Sequence, residues 1–90
     1  MSSSANWTLR VREKVYKELS KFPRDDQERI INVIENHLPS NPYMGDVEKM
    51  KGEETVWRRR VGNYRIFYEI IAKEKGIYVF RIERRTSSTH

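Results

Sequence analysis

The chain has 90 residues, of which 34% are charged, with a net charge of +5 and no cysteine. This length suits one small domain, so residues 1–90 are interpreted as a single domain. The absence of cysteine excludes disulfides and thiolate metal sites and favours a cytoplasmic setting; with only two histidines far apart, no metal site is expected. The longest apolar run is far too short to cross a bilayer, and no signal or transit peptide is visible, so no membrane partner is expected.

The positive charge is concentrated in the second half of the chain. Residues 1–48 hold seven Lys and Arg against eight Asp and Glu, whereas residues 49–90 hold eleven against five. A basic half in a cytoplasmic domain favours nucleic acid as a partner, because phosphates attract clustered cations. A solvated charged surface accounts for the composition equally well.

The chain begins with a predicted strand and a predicted helix. Apolar and polar residues alternate from Trp7 to Val11, which is typical of a half-buried strand. Apolar residues then recur at spacings of four, four and three, which predicts an amphipathic helix over Arg12 to Lys21. Pro23 is expected to end this helix.

A second helix is predicted directly after the first. Asp25 with Glu28 fits a capping box at its start, and an apolar stripe runs from Ile30 to Leu38. Pro39 and Pro42 are expected to stop it. The two helices should form a hairpin that packs against a sheet.

The segment VWRRRVGNYRIFYEII predicts a β-hairpin. Val56 to Val61 and Tyr64 to Ile71 are rich in β-branched and aromatic residues, as strands are. The link Gly62-Asn63 supplies the positive φ angles that a two-residue primed turn requires.

Four arginines crowd the turn end of this hairpin, and like charges on neighbouring strand positions repel. A polyanionic partner would explain them. Side-chain alternation places Arg58 and Arg60 on an open face, whereas Arg59 falls on the buried side with no partner that the sequence identifies. Two other interpretations remain: a solvated or salt-bridged face, and an ion pair between Arg65 and Glu69 along one strand.

Further strands complete the predicted sheet. A short apolar alternation within the connector Ser40 to Gly52 fits an edge strand, and Ile77 to Glu83 forms a later strand with Tyr78, Phe80 and Ile82 on one side. The predicted fold class is α+β, in the order β-α-α-β-β-β, with a two-helix hairpin packed on a mainly antiparallel sheet.

The motifs KMKG, WRRRV, YRIFYEI and RIERRxxxxH, together with this order of elements, resemble the RelE/ParE superfamily of toxin–antitoxin toxins. The resemblance runs from Trp7 to His90 and is strongest to the RelE-type branch. It implies a ribosome-dependent endoribonuclease that cleaves mRNA in the A site without metal or cofactor. The implied partners are a cognate antitoxin, the ribosome and mRNA. ParE-type toxins, which bind and inhibit DNA gyrase without catalysis, share the strand motif and are the alternative, and a relative that has lost activity is a third.

The resemblance implies that Arg60, Arg65, Arg84 and His90 are catalytic. Cleavage of RNA by its own 2′-hydroxyl passes through a dianionic phosphorane, which guanidiniums held in place stabilise. Arg65 and Arg84 are expected to clamp the scissile phosphate. The remaining expected substrate-binding residues are Arg58, Lys49, Lys51 and Arg85.

His90 departs from the family pattern, in which the corresponding position is often tyrosine. An imidazole titrates with an unperturbed pKa of about 6.5 and is the commonest general base, so His90 is expected to act on the 2′-hydroxyl or to stack on a base. Its position at the chain end equally fits a frayed residue, and Asp46 or Glu48 is then the alternative base. No general acid is identified, because arginine stays charged.

Overall fold

The computed structural model describes residues 6–85 of the chain. The strands and helices are β1 (Thr8–Val11), α1 (Glu13–Leu19), α2 (Arg24–Asn32), β2 (Val47–Lys49), β3 (Val56–Val61), β4 (Tyr64–Ile71) and β5 (Gly76–Arg84). A π-helical turn (Val33–His37) and a short α-helical turn (Leu38–Ser40) continue α2, and a 3₁₀ turn (Ala72–Glu74) links β4 to β5.

The five strands form one sheet in the order β1-β5-β4-β3-β2. Only β1 and β5 pair in parallel, and the other three pairings are antiparallel. A parallel pair needs a long crossover, and the chain between the two strands supplies it with both helices and the rest of the sheet. The predicted α+β class and order of elements are therefore confirmed, and the expected edge strand is β2.

The hydrophobic core lies between the helices and one face of the sheet. The helices contribute apolar residues at helical spacing, and the strands contribute every second residue. The fully or almost fully buried members of this cluster include Val15, Leu19, Ile30, Ile34, Leu38, Ile66, Tyr68, Ile77 and Val79. The opposite face of the sheet has no helix on it within residues 6–85, so its side chains define an open face.

The predicted hairpin is present with the expected strand limits. β3 and β4 pair from Val56 with Glu69 to Val61 with Tyr64. Gly62 takes a φ of 58°, whereas Lys75 is the only non-glycine residue with positive φ among residues 6–85. The expected positive φ is therefore found at Gly62 but not at Asn63, which is the pattern of a type II′ turn.

The ends of the second helix differ from the prediction. The capping box is wrong, because Pro23 occupies the position before Arg24 and no side chain caps the helix start. The fixed φ of proline is compatible with this position, where φ is −56° and ψ is 148°. At the other end, a π-helical turn in which the N–H of Leu38 bonds to the carbonyl of Val33 leads into an α-helical turn that runs past Pro39 to Ser40. Pro39 lies in the first turn of that short segment, where proline is tolerated. No helix within residues 6–85 is long and apolar enough to cross a bilayer.

The predicted face of the last strand is wrong because β5 contains a β-bulge. Phe67 pairs with Arg81 but its neighbour Tyr68 pairs with Val79, so Phe80 is the extra residue. An extra residue reverses the alternation beyond it. Ile82 therefore joins Val79 in the core, instead of sharing a face with Tyr78.

Candidate nucleic-acid interface on the open face

Four arginines from three adjacent strands lie on the open face, and we call this surface the arginine face. Residues that pair directly across neighbouring strands project to the same side of a sheet. Arg58 pairs with Phe67 and Phe67 with Arg81, while Arg60 pairs with Arg65. The arginine face thus consists of Arg58, Arg60, Arg65 and Arg81, and it includes three of the residues predicted from the sequence.

Two arginines of β3 have carboxylate partners from the connector and β2. Arg58 and Glu48 are cross-strand neighbours and form an ion pair. The Arg60 Nε lies 3.8 Å from an Asp46 carboxylate oxygen. The structure thus places both carboxylates that were considered as alternative bases beside the arginines, where each partly neutralises a guanidinium. A salt-bridged face was one of the interpretations left open by the sequence, but the sequence did not identify Asp46 and Glu48 as the partners.

Arg65 differs from its neighbours because no carboxylate pairs with it within residues 6–85. Its direct cross-strand neighbours are Arg60 on β3, a like charge that destabilises the pairing of the two strands, and Glu83 on β5, whose carboxylate pairs with Arg81. The ion pair considered with Glu69 does not form, and Glu69 instead accepts a hydrogen bond of 3.4 Å from the Thr55 hydroxyl. The arginine face therefore presents at its centre one half-buried guanidinium that forms no ion pair within the described residues.

Arg81 was missed by the sequence-based reasoning and reaches the arginine face because of the bulge at Phe80. Its guanidinium carbon lies 5.4 Å from the centre of the Phe67 ring, and its guanidinium also pairs with Glu83. Phe67 is only 8% exposed, although no helix covers this face. Arg81 is the first arginine of the RIERR motif, but regular strand alternation does not reveal the bulge that turns it to this face.

Arg84 lies on the helix-covered side of the sheet, because it pairs with the buried Tyr64. Its guanidinium carbon lies 5.9 Å from the centre of the Tyr64 ring. The Tyr64 hydroxyl donates a 2.7 Å hydrogen bond to Asp26 of α2. Burial, and then this hydrogen bond to Asp26, raise the pKa of Tyr64. The structure therefore does not bring Arg84 to the face that holds Arg65, as a shared phosphate clamp would require.

The other predicted site residues are dispersed. Lys49 pairs with Trp57, on the helix-covered side of β3, and Lys51 is exposed in the following turn. Arg85 is exposed, and its backbone N–H bonds to the carbonyl of Asn63 at the hairpin turn. His90 lies outside the described residues, so its predicted role stays a prediction. Within residues 6–85 no three potential ligands are grouped to hold a metal ion.

Comparison with known proteins places this geometry in a class of small toxins. A family profile described as "ParE toxin of type II toxin-antitoxin system, parDE" matches residues 7–88. A curated relative named "Putative toxin RelE1", from Methanocaldococcus jannaschii, is 25% identical over 83 residues, covering 88% of this chain and 90% of the relative.

Solved structures agree with this classification. The toxin–antitoxin complex RelBE2 of Mycobacterium tuberculosis matches with a TM-score of 0.76 and 20% identity, over 89% of this chain and 99% of the other. The RelB–RelE complex of Methanococcus jannaschii matches with a TM-score of 0.69 and 26% identity, over 83% and 88%. Fold and sequence together define a toxin of the RelE/ParE superfamily. More specifically, the chain belongs to the family of ParE toxins of type II toxin–antitoxin systems.

Proposed function

We propose that this toxin is a ribosome-dependent endoribonuclease that cleaves mRNA in the A site and so inhibits translation. The observation that carries the proposal is the pairing of Arg60 with Arg65 on the open face, where Arg65 forms no ion pair within residues 6–85 and its other neighbour, Glu83, pairs with Arg81. Two like charges held opposite each other reduce the stability of the fold, and a bound phosphate would relieve that repulsion. An RNA backbone supplies such phosphates.

In the proposed reaction, the 2′-hydroxyl oxygen attacks the adjacent phosphorus, the bond from phosphorus to the 5′-oxygen breaks, and a 2′,3′-cyclic phosphate forms. The 5′-oxygen takes its proton from solvent water. Arg65 has the catalytic role of binding the developing charge on the phosphorane, with Arg60 beside it. Arg58 and Arg81 lie on the same face, at positions suited to flanking phosphates. His90 is proposed as the group that accepts the 2′-hydroxyl proton. Arg84, held over Tyr64 on the other face, is assigned to a more distant phosphate, together with Arg85, Lys49 and Lys51.

A cognate antitoxin is the proposed protein partner. The similar structures from Mycobacterium tuberculosis and Methanococcus jannaschii were solved as complexes with their RelB partners. A basic domain attracts an acidic segment electrostatically, and such a segment can fold as it binds. If the neighbouring reading frame encodes the antitoxin, its product should co-purify with the toxin and block its activity.

The decisive experiment maps mRNA ends by primer extension after the protein is added to a translating extract. Cuts on ribosome-bound message, absent from free message, are expected. Arg65→Ala should lower the single-turnover cleavage rate by about a hundredfold or more, because an oriented cation at the reacting phosphate is lost. Ribosome association should persist.

Arg10→Ala is the matched control. Arg10 is an exposed arginine of β1 that pairs with Tyr78 of β5, so it lies on the open face but far from the hairpin turn. Equal losses in both variants would reduce the arginine face to a general electrostatic surface. Lower salt would then rescue both variants alike.

The second candidate function is inhibition of DNA gyrase by binding, with the arginines as an interaction surface. The description of the matching family as ParE toxins favours it, and so do the ion pairs of Arg58, Arg60 and Arg81, which leave few guanidiniums uncommitted. A supercoiling assay separates the two candidates. Inhibition of gyrase without any ribosome-dependent cut would replace the nuclease proposal.

A further inference from the structure

Arg59 is a separate arginine, held on the helix-covered side of β3 beneath the connector that precedes β2. Its neighbours across the sheet are Val47 and the buried Ile66. One guanidinium nitrogen, Nη1, donates a 3.2 Å hydrogen bond to the carbonyl of Met44. The connector is therefore anchored by a cation, and a second anchor is the Tyr68 hydroxyl, which donates to the carbonyl of Pro42.

The other edge of the Arg59 guanidinium has no acceptor within residues 6–85. Among these described residues, no group accepts a hydrogen bond from the buried Nε, and the hydrogen bond to the Met44 carbonyl is made by Nη1 and not by Nη2. Nε–H and Nη2–H point in parallel and form the edge that binds an oxyanion through two hydrogen bonds. When an N–H of a charged group is buried away from water and has no acceptor, the folded state is destabilised.

Arg59 lines a cleft between the end of the second helix and the connector, of about 360 Å³. The residues that line it are Asn36, His37, Ser40, Asn41, Met44, Gly45 and Arg59. They include amide, hydroxyl and imidazole groups but no carboxylate, so the positive charge of Arg59 is not neutralised from within the cleft.

We propose that this cleft binds a carboxylate group through the Nε–Nη2 edge of Arg59. A singly charged, planar carboxylate matches one guanidinium in both charge and geometry. Because Nε is closed to solvent, the carboxylate enters with a local movement of the connector around Met44. The cleft is independent of the arginine face, and the inference does not depend on RNA cleavage.

The test is a nuclear magnetic resonance titration of the whole chain with sodium acetate, at neutral pH and with ionic strength held constant by sodium chloride. The chemical shift of the Arg59 Nε–H should change with acetate concentration and reach a plateau, whereas the same concentrations of chloride should not produce this saturable change. A linear response that is the same in both salts would overturn the proposal. Tighter binding of inorganic phosphate than of acetate would overturn the assignment to carboxylates.

Two glycine variants supply a matched pair. A Cβ at Gly45 would lie 2.6 Å from Arg59 Nη1 and 2.8 Å from Cζ, so Gly45→Ala forces the guanidinium to move. Gly52 also has a positive φ, 80° against 94°, but a Cβ there meets nothing within 4 Å. Both variants carry backbone strain, yet only Gly45→Ala should weaken acetate binding, by about tenfold for a lost bidentate contact. Equal acetate affinity in the two variants would contradict a site at Arg59.

Discussion

Neighbouring arginines have different surroundings on the two faces of the β3–β4 hairpin. On the covered face, Arg59 is held by the Met44 carbonyl and lies against Gly45, so its position is set by the connector. On the open face, Arg60 and Arg65 face each other across the strand pair, and Arg65 forms no ion pair within the described part of the chain. A run of three arginines thus contributes to two different sites, because successive strand residues project to opposite sides.

The four arginines of the arginine face also differ from one another in their ion pairs. Carboxylates from the connector, β2 and β5 pair with three of its four arginines. These pairs limit the repulsion that four cations would otherwise cause, while Arg65 forms no ion pair within residues 6–85. The surface is therefore centred on one position, and it is not a uniform basic patch.

The largest expected effect on stability is at Ile66 on the covered face of β4, and its neighbour Arg65 on the open face is the comparison. Ile66 is 0% exposed, so Ile66→Ala should lower the free energy of unfolding by about 2–5 kcal/mol through lost burial and a cavity. Arg65→Ala should change it by no more than about 0.5 kcal/mol, since a repulsive neighbour is removed and no ion pair within residues 6–85 is lost. Urea denaturation of both variants measures this. A loss of several kcal/mol in Arg65→Ala would show that Arg65 has a structural partner.

The next effect is alkaline destabilisation centred on Tyr68 of the covered face. Burial raises the pKa of Tyr68 to about 12, although the charge of Arg59 acts in the opposite direction. In the unfolded chain a tyrosine titrates near 10, so the unfolded state loses its proton first and stability falls as pH rises from about 10 to about 12. A shift of two units corresponds to about 2–3 kcal/mol.

The measurement for Tyr68 is the urea unfolding free energy across that pH interval, for the parent and for Tyr68→Phe. The stability advantage of the parent should shrink as pH rises, because phenylalanine cannot ionise. Tyr43→Phe, at an exposed tyrosine, is the control. A parent-to-Phe difference that stays constant with pH would show that ionised Tyr68 is tolerated in the fold.

The smallest stability effect is expected at the ion pair between Arg58 and Glu48. Glu48→Gln should alter the free energy of unfolding by less than about 1 kcal/mol, because exposed ion pairs contribute little. It should also release Arg58 for phosphate contact, and the plot of log binding constant against log salt for single-stranded RNA should steepen by about 0.7 per new contact. Fluorescence anisotropy with labelled RNA measures the slope. Glu74→Gln, an equal charge change in the 3₁₀ turn, should leave the slope as it is, and an equal change in both variants would exclude a specific role for Arg58.

Much of the fold could be predicted from the sequence because the relevant signals are local. Alternation in β3 and β4, the glycine at the turn, and the spacing of apolar residues in the helices each act over a few residues. The same local reasoning failed at the start of the second helix, where Pro23 took the place expected of Asp25. It also failed at β5, since a bulge depends on how two strands pair.

For the candidate site, the sequence by itself determined that arginines gather at the hairpin turn and that Arg58 and Arg60 share a face opposite to Arg59. Strand alternation and a short turn are sufficient for that conclusion. Only the tertiary structure decided that Arg81 joins them, that Arg84 lies on the other side over Tyr64, and that Asp46 and Glu48 neutralise two of the arginines. Those outcomes depend on register, on a bulge and on the path of the connector. All three are set by contacts between residues that are distant in the chain.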